Sequence, residues 1–129
     1  MKRILVFLAL VLSLSTYSQD YVRIGRERSE ILKELKGYNP SQMTIKGFNL
    51  IKVVINGNEV IYLFDEFDYC DHTSVITKDF NTAIAFEKFY ELKYHHLGNT
   101  NDGRNQIVYD VFLNTDKKYV FVFRRINEL

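Results

Sequence analysis

The chain has 129 residues, 47% of them hydrophobic, with 17 Lys and Arg against 16 Asp and Glu. That apolar share can build a core and excludes wholesale disorder. A formal charge of +1 and a single cysteine exclude bulk electrostatic attraction to nucleic acid or membrane, an intrachain disulfide framework and a Cys-rich zinc site.

Lys2 and Arg3 are followed by nine apolar residues, 4–12, and then by Ser13, Leu14, Ser15 and Thr16. A basic start, a short apolar core and small residues at Thr16 and Ser18 predict a secretory signal peptide over 1–18, cut after Ser18 so that Gln19 opens the mature chain. Crossing a membrane takes about 20 apolar residues, so this run is not read as a span. Removing it leaves 111 residues, 19–129, with 15 basic against 16 acidic side chains. That length suits one domain. Export predicts a periplasmic or secreted location, where the lone Cys70 meets an oxidising environment.

Ile31, Leu32 and Leu35 lie at helical spacing and Gly37 offers a stop, which predicts a short helix over about 26–36. Residues 38–43, YNPSQM, hold the only proline and read as a loop. Asn56-Gly57 between two β-rich runs predicts a two-residue hairpin in which Val53 faces Val60 and Ile51 faces Tyr62. A polar stretch, DEFDYCDH, leads into a third strand, TSVITK. The second helix is expected over 80–97, capped by Asp79 or Asn81 and ended by Gly98. Residues 98–105 read as a loop, and 106–113 and 119–126 as a final strand pair. The last strand, YVFVF, is apolar on both faces, as suits one side against helices and the other against something else. The order α-β-β-β-α-β-β predicts a single α+β domain with two helices packed on a mainly antiparallel sheet.

The stretch IGRERSEILKELKG, the hairpin closing on IYLFDEFDYC, the helix and the two aromatic strands resemble small exported proteins of unknown function from Bacteroidota-type bacteria. The YSQ that ends the signal segment is similar to theirs. This resemblance implies no reaction. The glycine followed by a short helix also resembles the start of outer-membrane assembly lipoproteins of the BamE type, although the chain lacks their lipid-bearing cysteine.

Chemistry-bearing residues are few. Asp65, Glu66, Asp68 and Asp71 lie beside His72, and carboxylates with an imidazole are a ligand set for a metal. The spacing is not that of a calcium-binding loop, and acidic turns are common, so no metal site is expected; the alternative is a small metal-dependent hydrolase or other enzyme using Asp68, Asp71 and His72. His95 and His96 are adjacent, not spaced to chelate from one helix. Cys70 has acidic neighbours, which disfavour a thiolate, and reads as a structural thiol. There is no nucleophile elbow, phosphate loop or dinucleotide fingerprint, so no cofactor is implied. The favoured reading is an exported binding protein whose partner is another envelope or extracellular protein. Tyr119, Phe121 and Phe123 are its expected binding residues, on an exposed sheet face. No nucleic-acid partner and no membrane span in the mature chain are expected.

Overall fold

A computed structural model describes residues 20–96 and 107–125. The protein is a single α+β domain. Its elements are α1 (Arg28–Glu34), β1 (Ser41–Ile45), β2 (Phe48–Ile55), β3 (Asn58–Phe64), β4 (Cys70–Ile76), α2 (Phe80–Lys93), β5 (His95–His96), β6 (Ile107–Leu113) and β7 (Tyr119–Arg125). They form one sheet in the order β1-β2-β3-β4-β7-β6-β5, antiparallel throughout except for the two-residue β5, which joins β6 in parallel. No helix among the described residues is long and apolar enough to cross a membrane.

The hairpin at Asn56-Gly57 has the expected register, with Ile55 opposite Asn58, Val53 opposite Val60 and Ile51 opposite Tyr62. Both turn residues carry positive φ, 53° and 83°, as a type I′ turn requires. The same device recurs where the sequence reads as a loop. Lys46 and Gly47 have φ of 52° and 85° and fold residues 41–45 back as β1, so that Ile45 faces Phe48. The YNPSQM loop therefore ends at Pro40. Lys at the first turn position hides this hairpin from a search for Asn-Gly.

The loop expected between β3 and β4 contains a compact five-residue turn. Asp65 Oδ1 accepts from the backbone of Phe67 and Tyr69 at 2.9 and 3.0 Å. Asn114 Oδ1 does the same for Asp116 and Lys118, at 3.0 and 2.9 Å, between β6 and β7. In each turn the fourth residue, Asp68 or Lys117, takes positive φ. DEFDY and NTDKK are thus one geometry written in two sequences, an Asx side chain replacing backbone acceptors.

The helices end earlier than their apolar spacing predicts. Glu27 precedes α1, and its N–H donates to Glu30 Oε1 at 3.2 Å. Asp79 caps α2, accepting from Thr82 N–H at 2.7 Å. The last helical bond of α2 runs from Tyr94 N–H to Tyr90 C=O, and Tyr94 is already extended. His95 and His96 then pair with Val108 and Tyr109 as a strand, which gains two ladder partners in place of a last helical turn. The expected stop at Gly98 lies outside the described residues.

Both helices supply the core on one face of the sheet: Ile31 and Leu35 from the first, Ala83, Phe86 and Tyr90 from the second. Opposite them are Ile51, Val53, Val60, Tyr62, Phe121 and Phe123, all buried. Tyr90 is the hub of this layer, its ring 4.6 Å from Phe123 and 5.4 Å from Phe121, centroid to centroid. Aromatic pairs at such distances contribute beyond their buried area. The segment before α1 is locked in as well. Tyr21 is fully buried, its carbonyl accepts from Tyr62 Oη at 2.7 Å, and Asp20 pairs with Lys93 and accepts from Tyr94 Oη.

Candidate functional site

Phe121 and Phe123 do not lie on an exposed face. Both are buried beneath α2, and the binding surface expected of them is corrected on that point. Tyr119 is half-buried at the border of the same layer, 5.8 Å from Phe80 ring to ring. The physical reason is the parity of β7. Residues 119, 121 and 123 all point one way, and the larger aromatic side chains take the side where helices can cover them, which removes the most apolar area from water. Val120 and Val122 point the other way.

That other side of the sheet is the strongest candidate surface, because neither helix among the described residues packs on it. The strand pairing aligns Ile61, Ser74 and Val122 in one row, with Lys52 and Asp110 at its ends. A second row joins Leu50, Leu63, His72, Arg124 and Val108; a third joins Val54, Glu59, Ile76, Val120 and Phe112. Val54 and Phe112 are exposed, Leu50, Ile61, Leu63, Ile76 and Val122 are half-buried, and Val108 and Val120 are buried. Charged groups sit among and around them. Lys52 Nζ meets Glu59 Oε1 at 2.8 Å, and Arg124 lines a shallow hollow of ≈ 330 Å³ with His72, Phe112 and Val122. An apolar patch with charges of both signs at its margin is the anatomy of a protein-binding surface.

A groove of ≈ 600 Å³ runs along the outer side of α2 over β6 and β7. Phe80, Ile84, Val111 and Tyr119 form its apolar floor, and Glu87, Lys88 and Glu91 its rim. Tyr109 Oη donates to Glu87 Oε1 at 3.3 Å, and burial followed by the Glu87 charge pushes the phenol above its usual range. The rim therefore holds one carboxylate already engaged and one lysine beside two acids.

The acidic segment does not gather around one point. Asp65 spends one oxygen on its own turn. Asp68 Oδ2 receives Arg28 at 3.0 and 3.1 Å, while Arg28 N–H donates to the Asp68 carbonyl at 3.0 Å, tying α1 to the turn. Asp71 Oδ2 lies 3.1 Å from His72 Nδ1. The segment is not one extended strand. Residues 65–69 turn, and a register shift at Leu63 and Phe64 pairs Phe64 with Cys70 and leaves Asp71 exposed. Among the described residues, no three His, Cys, Asp or Glu side chains come together to hold a metal.

Cys70 faces the core, 2% exposed. Its thiol donates to the His72 carbonyl at 3.3 Å, and burial above all pushes it up to about 12. A thiol so placed is protonated at neutral pH and is a poor nucleophile. Sequence reasoning missed Leu50, Ile61, Leu63 and Ile76, spread over the three rows, as a surface. The available signal was that β2, β3 and β7 carry apolar residues at positions alternate to the core set, more than a solvated face needs. Comparison with known protein families, with characterised proteins and with solved structures finds no match to this chain.

Proposed function

We propose that this chain is an exported protein of the cell envelope or its surroundings that works by binding another protein through the helix-free face of its sheet. One observation carries the reading. Strands β2, β3 and β7 carry apolar residues on both sides, and the two helices among the described residues pack on only one. Apolar residues on an uncovered face gain nothing for the isolated fold that polar residues would not, and they gain binding energy when a partner removes them from water. The partner is a protein with its own apolar centre and charges at the rim that complement Lys52, Glu59, Asp110 and Arg124. Export rests on residues 1–18; cleavage after Ser18 would keep every described residue in the mature chain.

The test starts from the full-length chain expressed in its native host. N-terminal sequencing of the exported protein should begin at Gln19; recovery of intact Met1 protein solely from the cytosol contradicts export. A partner identified by chemical cross-linking is then purified and titrated. Ile61→Asp and Val122→Asp should each weaken binding at least tenfold while far-UV circular dichroism stays unchanged, because a charge is desolvated in an apolar contact. Unchanged affinity in folded variants contradicts the proposed face.

A further inference from the structure

Strand β1 is one margin of the sheet, and all five of its residues are exposed. At the opposite margin the sheet ends in β5, two residues long. Natural sheets protect a long edge with charge, proline, bulges or a covering element. SQMTI contains no charge and no proline, and its register with β2 runs without interruption over five residue pairs.

The hairpin geometry says which backbone groups this edge offers. A two-residue turn at Lys46-Gly47 makes Ile45 and Phe48 a hydrogen-bonded pair, and alternation then gives Met43 and Ser41 to β2 as well. Gln42 and Thr44 are left with N–H and C=O directed outward. Two such strands meeting antiparallel about a two-fold axis at Met43 place Gln42 of one opposite Thr44 of the other, and vice versa. That pairing makes four backbone hydrogen bonds. Met43 meets its own copy on the helix-free side, where it is 38% exposed, and Ile45 meets Ser41. No like charges face each other across this pairing, the condition that most often forbids self-association of strands.

We infer that the protein forms a two-fold dimer by antiparallel β1–β1 pairing, uniting two sheets into one. The β1 edge is distinct from the Ile61–Val122 part of the sheet, so the inference stands or falls apart from the partner-binding reading. The expected occupant is a second copy of this chain, because the same five residues supply both the outward amides and their uncharged complement.

Sedimentation velocity on the mature chain, from micromolar to near-millimolar concentration, should show a monomer–dimer equilibrium. Gln42→Pro removes one outward N–H without touching a bond to β2, and should shift the chain to monomer with its melting temperature retained. Met43→Cys should form a reducible covalent dimer under oxidation, whereas Ile45→Cys, which faces Ser41 of the second copy, should not. Val122→Asp should leave the dimer intact. A monomer at every concentration overturns the inference. So does a dimer unaffected by folded Gln42→Pro, or Ile45→Cys cross-linking in place of Met43→Cys; the cysteine pair decides the matter if Gln42→Pro fails to fold.

Discussion

The two faces of the sheet are built from the same strands and both carry apolar residues, yet of different kinds. On β7, Phe121 and Phe123 face the helices and are fully buried, while Val122 between them faces away and is half-buried. On β3, Tyr62 lies under the helices and Ile61 and Leu63 do not. The covered face holds large aromatic rings around Tyr90; the open face holds aliphatic residues mixed with Ser74, His72, Lys52 and Glu59. The difference separates the two tasks of an apolar residue. Rings packed against rings hold this fold together, and the part-exposed aliphatic residues opposite are the ones proposed to serve a contact.

The largest expected effect comes from striking neighbours on opposite faces. Phe123→Ala should lower the unfolding free energy by about 3–5 kcal/mol in urea titration, because it opens a cavity beside Tyr90. Val122→Ala should cost about 1 kcal/mol or less, since its side chain is already partly exposed. Equal losses would erase the distinction between the faces.

Cys70 sharpens the comparison through pH. The thiol is pushed up to about 12 in the fold by burial, against an ordinary value near 9. The folded state therefore holds its proton over a range in which the unfolded chain releases it, and stability falls as pH rises above about 9. The slope from this one group reaches at most about 1.4 kcal/mol per pH unit. Urea titrations between pH 8 and 10 should show the fall, and Cys70→Ala should flatten it. A slope unaffected by Cys70→Ala would place the thiol in solvent.

The two glycine turns divide the same way. Gly57 and Gly47 both carry positive φ, but a Cβ on Gly57 meets the Lys78 Cδ at 3.0 Å, whereas one on Gly47 meets nothing within 4 Å. Gly57→Val should cost about 1 kcal/mol or more in thermal melting, because it strains a hairpin whose strands enter the core. Gly47→Val should chiefly speed amide exchange in β1. Exchange in β1 unchanged by Gly47→Val would argue against a type I′ turn there.

Where sequence signals are local, they led to the right elements. Asn56-Gly57 located a hairpin and its register, one of the two cap candidates, Asp79, caps α2, and period-two alternation put Ile51, Val53, Val60 and Tyr62 on one face. What escaped depends on partners distant in the chain. Lys46-Gly47 turns without the usual Asn. His95 and His96 leave the helix because Val108 and Tyr109 offer a ladder. The parity of YVFVF is visible in the sequence, but which side the helices cover is not, and Phe121 and Phe123, with Tyr119 at their border, lie on the helix side and not on the exposed face. Asp68 reads as a ligand until Arg28, forty residues earlier, is found against it.

A photo-cross-linking amino acid placed in turn at Val122, Ile61 and Lys88 of the full-length chain, in its native host, tests the central claim most directly. Val122 and Ile61 should yield a shared adduct with one envelope protein, and Lys88, on the far side of the molecule beside the α2 groove, should yield none of it. An adduct that forms from Lys88 and not from Val122 or Ile61 would contradict the assignment of the binding surface to the helix-free face.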